Sequence, residues 1–347
     1  MFRTNIQIAA ALVTLSLQVV AFAFAPLPKP DPVPEGAIAF VHDSKIWVMG
    51  PDGKDRKALI DGHSPSWSPD GKRIAYRHKG LWVMDPDGSH PRRLTEHDPG
   101  PFCWSPDGSH IVYWFQRRLY VVATAGTKAR QLLEVRSGGY SCRFSPDGKK
   151  VLFTYRADPT KNSQIFVCDA DGKNLKQLTT GVGDYDPIFS PDSKSIVFSS
   201  LESGQNQLWI MDSDGGNRRK LTHADRDELS KDTLGVDGTF FFSPDGKRIV
   251  FIYGDRGDFT PDGRNNVWII DKDGKNLKRL TSETPAAFVA PTFTAESKIL
   301  FWSYPMRKDA TNQPASAKIY TVETSGKNLT CLGEGSAPSP RPQKSAR

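Results

Sequence analysis

The sequence predicts an all-β protein built as a β-propeller, with seven four-stranded blades as the reading and six as the alternative. Two observations carry this. First, seven apolar runs end in an aromatic (Phe40, Tyr76, Tyr113, Phe153, Phe198, Phe251, Phe301), and each is followed by a second run with its own aromatic (Trp47, Trp82, Tyr120, Phe166, Trp209, Trp268, Tyr320). Six residues after each second aromatic stands a glycine, from Gly53 to Gly326, and six residues later a leucine, from Leu59 to Leu332. Second, the two runs are apolar on both alternations, as in Leu81, Trp82, Val83 and Met84, so both faces of each small sheet must be buried. Neighbouring blades bury them.

Taken in chain order, residues 1–25 combine Arg3, an apolar run and small residues at Ala21, Ala23 and Ala25, which reads as a secretory signal peptide, an uncleaved anchor being the alternative. Residues 26–35 are a proline-rich linker, residues 36–335 the propeller, and residues 336–347, SAPSPRPQKSAR, a Pro/Ser/basic tail. Within each unit the strands are a, b, c and d. Strand a ends in the Ser-Pro-Asp-Gly turn, and b and c carry the two aromatics. Strand d mixes in Lys and Arg (Arg92-Arg93, Arg218 to Lys220, Lys278-Arg279), as suits an exposed edge that must not pair with another sheet. The first unit lacks an obvious inner strand, which either residues 32–34 or residues 335–340 would supply. The a–b turns keep their length apart from the last, and the c–d hairpins keep theirs throughout. The b–c interval runs from 6 to 19 residues, and the d–a connection varies too. Both variable connections leave the same end of an up-and-down blade. Insertions confined to one face mark that face for binding.

The aspartates of D-x-D-G (Asp85, Asp169, Asp212, Asp271) suggest a calcium loop, yet none continues to a distal glutamate, and Asp and Gly are what tight turns require. They read as turn formers. No G-x-S-x-G elbow or HExxH pair occurs, so no catalytic residue and no metal ligand is assigned. Several histidines nevertheless fall in the variable loops, and a cation site built from several blades is the disfavoured alternative. The formal charge of +7 is spread over strand d, turns and tail rather than gathered in a stripe, which argues against a nucleic-acid partner. The variable face nominates Arg77, His78, Arg117, Arg118, Tyr155, Arg156, Asp184, Tyr185 and His223 as binding residues. From the two most polar loops, 223–238 and 253–266, it adds Asp225, Arg226, Asp227, Glu228, Asp255, Arg256 and Asp258. Cys103 and Cys142 fall on corresponding strands of successive units. They are either free or, in an oxidising compartment, paired.

These units, "PSWSPDGKRIAY…LWVMDPDG…RRLT", resemble the repeats of the TolB-type periplasmic β-propeller family over nearly all of residues 36–333. The resemblance implies a propeller used for protein interactions in the cell envelope, with no chemistry of its own. Two departures matter: no α/β domain precedes the repeats, and the family's propeller is usually six-bladed. The expectation is therefore an exported, periplasmic or secreted, monomeric protein without a cofactor, binding a protein or envelope polymer. No transmembrane segment is expected after signal cleavage. The alternative implied by TolB-like relatives is a metal-dependent lyase or hydrolase of acidic oligosaccharides.

Overall fold

The structure is a computed structural model and describes residues 33–126, 128–135, 139–158, 162–181, 183–223, 235–254, 265–281, 287–304 and 316–342. Its 28 strands form seven four-stranded antiparallel sheets, a seven-bladed propeller, with no helix among the described residues. Blade 1 contains β1 (Ile38–His42), β2 (Lys45–Met49) and β3 (Lys57–Asp61), and blade 2 β4 (His63–Trp67), β5 (Ile74–Arg77), β6 (Leu81–Met84) and β7 (Arg92–Arg93). Blade 3 is β8 (Phe102–Trp104), β9 (His110–Phe115), β10 (Arg118–Ala123) and β11 (Arg130–Glu134). Blade 4 is β12 (Gly139–Phe144), β13 (Lys150–Tyr155), β14 (Gln164–Asp169) and β15 (Lys176–Gln177). Blade 5 is β16 (Asp184–Phe189), β17 (Ser195–Ser200), β18 (Gln207–Asp212) and β19 (Arg219–Lys220), and blade 6 β20 (Gly235–Phe242), β21 (Arg248–Gly254), β22 (Asn266–Asp271) and β23 (Lys278–Arg279). Blade 7 is β24 (Ala287–Phe293), β25 (Ile299–Tyr304), β26 (Lys318–Val322) and β27 (Thr330–Glu334).

Alternation along the middle strands builds the core. On β21, Ile249 and Phe251 pack into the layer shared with Ile188, Val197 and Ile210 of blade 5, while Val250 and Ile252 enter the layer shared with Phe288 and Phe301 of blade 7. All four β21 residues are fully buried. A polar residue at any of them would face a neighbouring blade rather than water.

The turn aspartates are architecture. In five a–b turns the serine hydroxyl donates to the aspartate two residues on, at 2.5–2.6 Å, from Ser68–Asp70 to Ser243–Asp245. The same carboxylates accept the backbone N–H two residues further along. In the c–d hairpins, Asn174, Asn217 and Asn276 donate at 2.6 Å to Asp169, Asp212 and Asp271. Strand c gains a further cap, because the threonine that follows d's leucine accepts an N–H from the first or second residue of c: Thr95 from Leu81, Thr179 from Ile165, Thr222 from Leu208 and Thr281 from Val267.

Strand d does more than guard an edge. In blades 1 to 6 the basic residue ten positions after the c aromatic reaches the next blade's c–d hairpin and donates to a backbone carbonyl, at 2.6–3.5 Å. The pairs are Lys57 to Asp87, Arg92 to Ala125, Arg130 to Asp171, Lys176 to Asp214, Arg219 to Asp273 and Lys278 to Ser325. Six cations of the basic excess are thus inter-blade ties. Arg218, placed by the sequence in strand d, precedes β19 and turns elsewhere.

At the junction of blades 7 and 1 Thr330 stands at that position, and Arg56 of blade 1 crosses instead, donating to the Leu332 and Glu334 carbonyls of blade 7. That junction closes differently. β28 (Ser336–Pro340) is the innermost strand of blade 1, with Ala39 opposite Ser339 and Val41 opposite Ser336. The C-terminal alternative is the one adopted, so the stretch expected as a tail opens with a strand. Arg341 then fastens it: its backbone N–H donates to Ala37, its Nε to Gly71 and its Nη1 to Val33 and Pro34, with the guanidinium over Trp67.

Candidate functional site

The upper ends of the inner strands share a backbone feature. Ser64, Asp186, Ala290 and Ala337 all have positive φ, between 47° and 54°, and each precedes a proline. A residue before proline is pushed out of the right-handed helical region, and proline, lacking an N–H, is tolerated on this inner edge. The ladder slips at these bulges, between His63 and Ser66, Tyr185 and Ile188, and Val289 and Thr292. Each slip re-aims the side chains at the mouth of the ring.

Around that mouth the described residues form three groups. In blade 2, Arg77 lies opposite His63 in the ladder and holds Asp98 of the following d–a loop in a two-point ion pair, at 3.1 and 3.2 Å. Partial burial, and then the Arg77 charge, hold His63 below the usual imidazole range, and His78 adds to that repulsion. Beside them, His97 stacks on Phe115 at 3.7 Å, and burial lowers its basicity too.

The second group spans blades 4 and 5. Tyr140, at the start of β12, is 47% exposed, and the Arg156 guanidinium lies 5.7 Å from its ring centre. Tyr185 of β16 stands close enough for Arg156 to act on its hydroxyl, although burial raises that group overall. Tyr155 instead packs inward, 4.3 Å from Phe166. In the third group Arg218 lies over Phe198 and Trp209, at 5.0 and 4.9 Å, and binds Asp184 at 3.0 Å, the Ser200 hydroxyl at 3.0 Å and Glu202 at 2.5 Å.

Asp184 requires a correction. It is completely buried rather than on the open surface of the face, one carboxylate oxygen holding Arg218 and the other without a hydrogen-bond partner among the described residues. Arg118 pairs with Glu134 at 3.1 Å, Arg117 is exposed in the same blade, and His223 ends the described part of its loop. Asp225, Arg226, Asp227, Glu228, Asp255, Arg256 and Asp258 lie outside the described residues. Sequence reasoning noted His63 only among the histidines of the variable loops and missed Tyr140, Asp98 and Arg218. For Arg218 a signal existed: it occupies the position nine residues after the c aromatic, where Leu175, Leu277 and Leu329 stand in blades 4, 6 and 7.

Chemically this mouth offers guanidinium and imidazole groups beside exposed or half-exposed aromatic edges. Such surfaces grip carboxylates and aromatic groups of a partner. Among the described residues no three His, Cys, Asp or Glu side chains are grouped as metal ligands would be. Cys103 and Cys142 pack in one cluster, and all four cysteines are free thiols.

A closed ring of seven four-stranded blades, with structural turns on one face and a cation–aromatic mouth on the other, defines a seven-bladed β-propeller. The propeller is TolB-like: residues 77–241 match the family described as the TolB beta propeller domain. The chain is 29% identical over 234 residues to the uncharacterized protein Atu1656 of Agrobacterium fabrum, covering 62% of this chain and 75% of that protein. It is 33% identical over 119 residues to the Tol-Pal system protein TolB of Bordetella pertussis, covering 33% of this chain but 27% of TolB. Among solved structures, an oligogalacturonate lyase in complex with manganese shares the fold, with a TM-score of 0.62 at 16% identity over 82% of this chain and 84% of that one.

Proposed function

We propose that the chain is an exported, non-enzymatic binding protein of the cell envelope that holds a protein or envelope polymer against the face of its b–c and d–a loops. The observation that carries the reading is the group of Tyr140, Arg156 and Tyr185. It places an exposed aromatic and a guanidinium at the mouth of a ring whose opposite face is held by turn hydrogen bonds. Likeness to TolB supports an envelope partner. A pull-down from envelope fractions with the mature chain tests this, against a version with loop 223–238 shortened. Loss of a specific partner is expected, and equal recovery removes that loop from the binding face.

A second reading draws on the oligogalacturonate lyase likeness: manganese-dependent cleavage of acidic oligosaccharides. It predicts that the purified chain carries a stoichiometric divalent metal and degrades uronate oligomers after manganese addition. Failure of both measurements eliminates it.

A further inference from the structure

Blades 1 and 3 both lack a side-chain pair that the other five blades keep: blade 1 has Gly50 and Asp55 at the two positions, and in blade 3 a cavity opens there. In blades 2, 4, 5, 6 and 7 an acid stands three residues after the c aromatic (Asp85, Asp169, Asp212, Asp271, Glu323), bonded by a His or Asn five residues further on. In blade 3 both members of the pair are replaced, the acid by Ala123 and the amide by Lys128. The small alanine leaves space and Lys128 has no hydrogen bond or ion pair among the described residues. A cavity of about 680 Å³ opens at this place, on the face of the a–b turns and c–d hairpins, between blades 3 and 4. The volume lies within the range of small-molecule sites. No other blade pairs an alanine with a lysine at these two positions.

The lining selects a ligand chemistry. Phe144, Pro106, Pro146 and Val121 give it apolar walls, while Lys128 and Arg130 bring donors. Of its carboxylates, Asp107 is consumed by Ser105 and Ser109, which supply three hydrogen bonds. Asp171 is held by Lys173, through its ammonium and its backbone N–H, while Asp147 uses Oδ1 for Ser145 and Lys149 and its Oδ2 has no bond among the described residues. An anionic ligand would meet the free Oδ2 of Asp147, and a cationic one Lys128 and Arg130, each at an electrostatic cost. A neutral polyhydroxyl molecule avoids both costs: its hydroxyls donate to the carboxylates and accept from the cations, and the C–H face of a pyranose ring lies against Phe144 and the prolines.

We propose that the cavity between blades 3 and 4 is a binding site for a short neutral saccharide. This site goes beyond the variable-face reading and stands independently of it. The test is saturation-transfer NMR with titration calorimetry on the full mature chain, with cellotriose, maltotriose and tri-N-acetylchitotriose as probes and trigalacturonate as the acidic comparison. At least one neutral trimer is expected to bind more tightly than trigalacturonate. The double substitution Ala123→Asp with Lys128→Asn rebuilds the acid–amide pair of blades 4 to 7 inside the cavity and should weaken that binding about tenfold or more. Phe144→Leu, which keeps an apolar side chain in the ring, should also weaken it. The proposal is overturned if no neutral trimer binds, if trigalacturonate binds as well, or if the rebuilt hairpin binds like the native one.

Discussion

Arg341 should be the residue on which ring closure depends most. Its side chain makes three hydrogen bonds, 3.0 Å to Gly71, 2.8 Å to Val33 and 3.2 Å to Pro34, and lies 5.1 Å from the Trp67 ring centre. A charged donor makes bonds of about 1.5–3 kcal/mol each when buried. These are partly exposed, so about 1 kcal/mol each is the fitting scale, with about 0.5–1 kcal/mol more from the indole contact. Arg341→Ala then costs about 3–4 kcal/mol, a fall in melting temperature of about 4–6 °C for a chain of this size. Arg341→Lys keeps the charge but cannot span Gly71 and Val33 together, and should fall between the two. Deleting residues 336–347 removes the strand itself and should lower stability further. Thermal unfolding followed by circular dichroism reads all three. A loss below about 1 °C for Arg341→Ala would refute the view that β28 and its arginine lock the ring.

Three further outcomes follow from the same bonds. Thr222→Val removes a buried hydroxyl that accepts from Leu208 at 3.0 Å and donates to Gln207 at 2.6 Å; a loss of about 2 kcal/mol is expected in urea denaturation, and Thr281→Val should behave alike. Hydrogen bonds from Ser105 and Ser109 depress the Asp107 carboxyl to about 2, and Asp147, Asp192 and Asp245 are lowered for the same reason. Their contribution is present above the ordinary carboxylate range and is lost as pH falls through each lowered value, about 2 for Asp107, so melting temperature should drop as pH falls from about 4 to about 2. Asp107→Asn should flatten that profile. Burial pushes the Cys142 thiol well up and Cys168 to about 12, whereas Cys331 is exposed. Alkylation of the native chain should therefore modify Cys331 and spare Cys142 and Cys168 until unfolding; a native mass lacking two hydrogens would instead reveal a Cys103–Cys142 disulfide.

Much of the fold was legible because its determinants are local. Ser68 meets Asp70 two residues away and Asn174 meets Asp169 five away, so the turn chemistry repeats visibly and the aspartates declare themselves as turn formers. The two-sided apolar runs are equally local. Ring closure was not legible to the same degree: residues 336–340 carry no strand pattern of their own and become a strand only because β1 offers an unpaired edge 302 residues earlier, at Ile38 opposite Pro340. The mouth was half legible. Loop variation pointed to Arg77, Arg156 and Tyr185, but whether a side chain at a bulge faces the channel or the core depends on register, and Asp184 and Tyr185 fall on opposite sides of that choice. The cavity depends on two residues that differ from their repeat equivalents, Ala123 and Lys128, which becomes visible only once the paired contacts of blades 4 to 6 are known.

The most direct measurement is the affinity of the recovered envelope partner for two variants of the mature chain, one altered on each face. Tyr140→Ala with Arg156→Ala strips the mouth, while Ala123→Asp with Lys128→Asn alters only the opposite face. Binding through the loop face predicts a loss of about tenfold or more for the first and less than about twofold for the second. Unchanged affinity in the first variant, or a loss confined to the second, would contradict it.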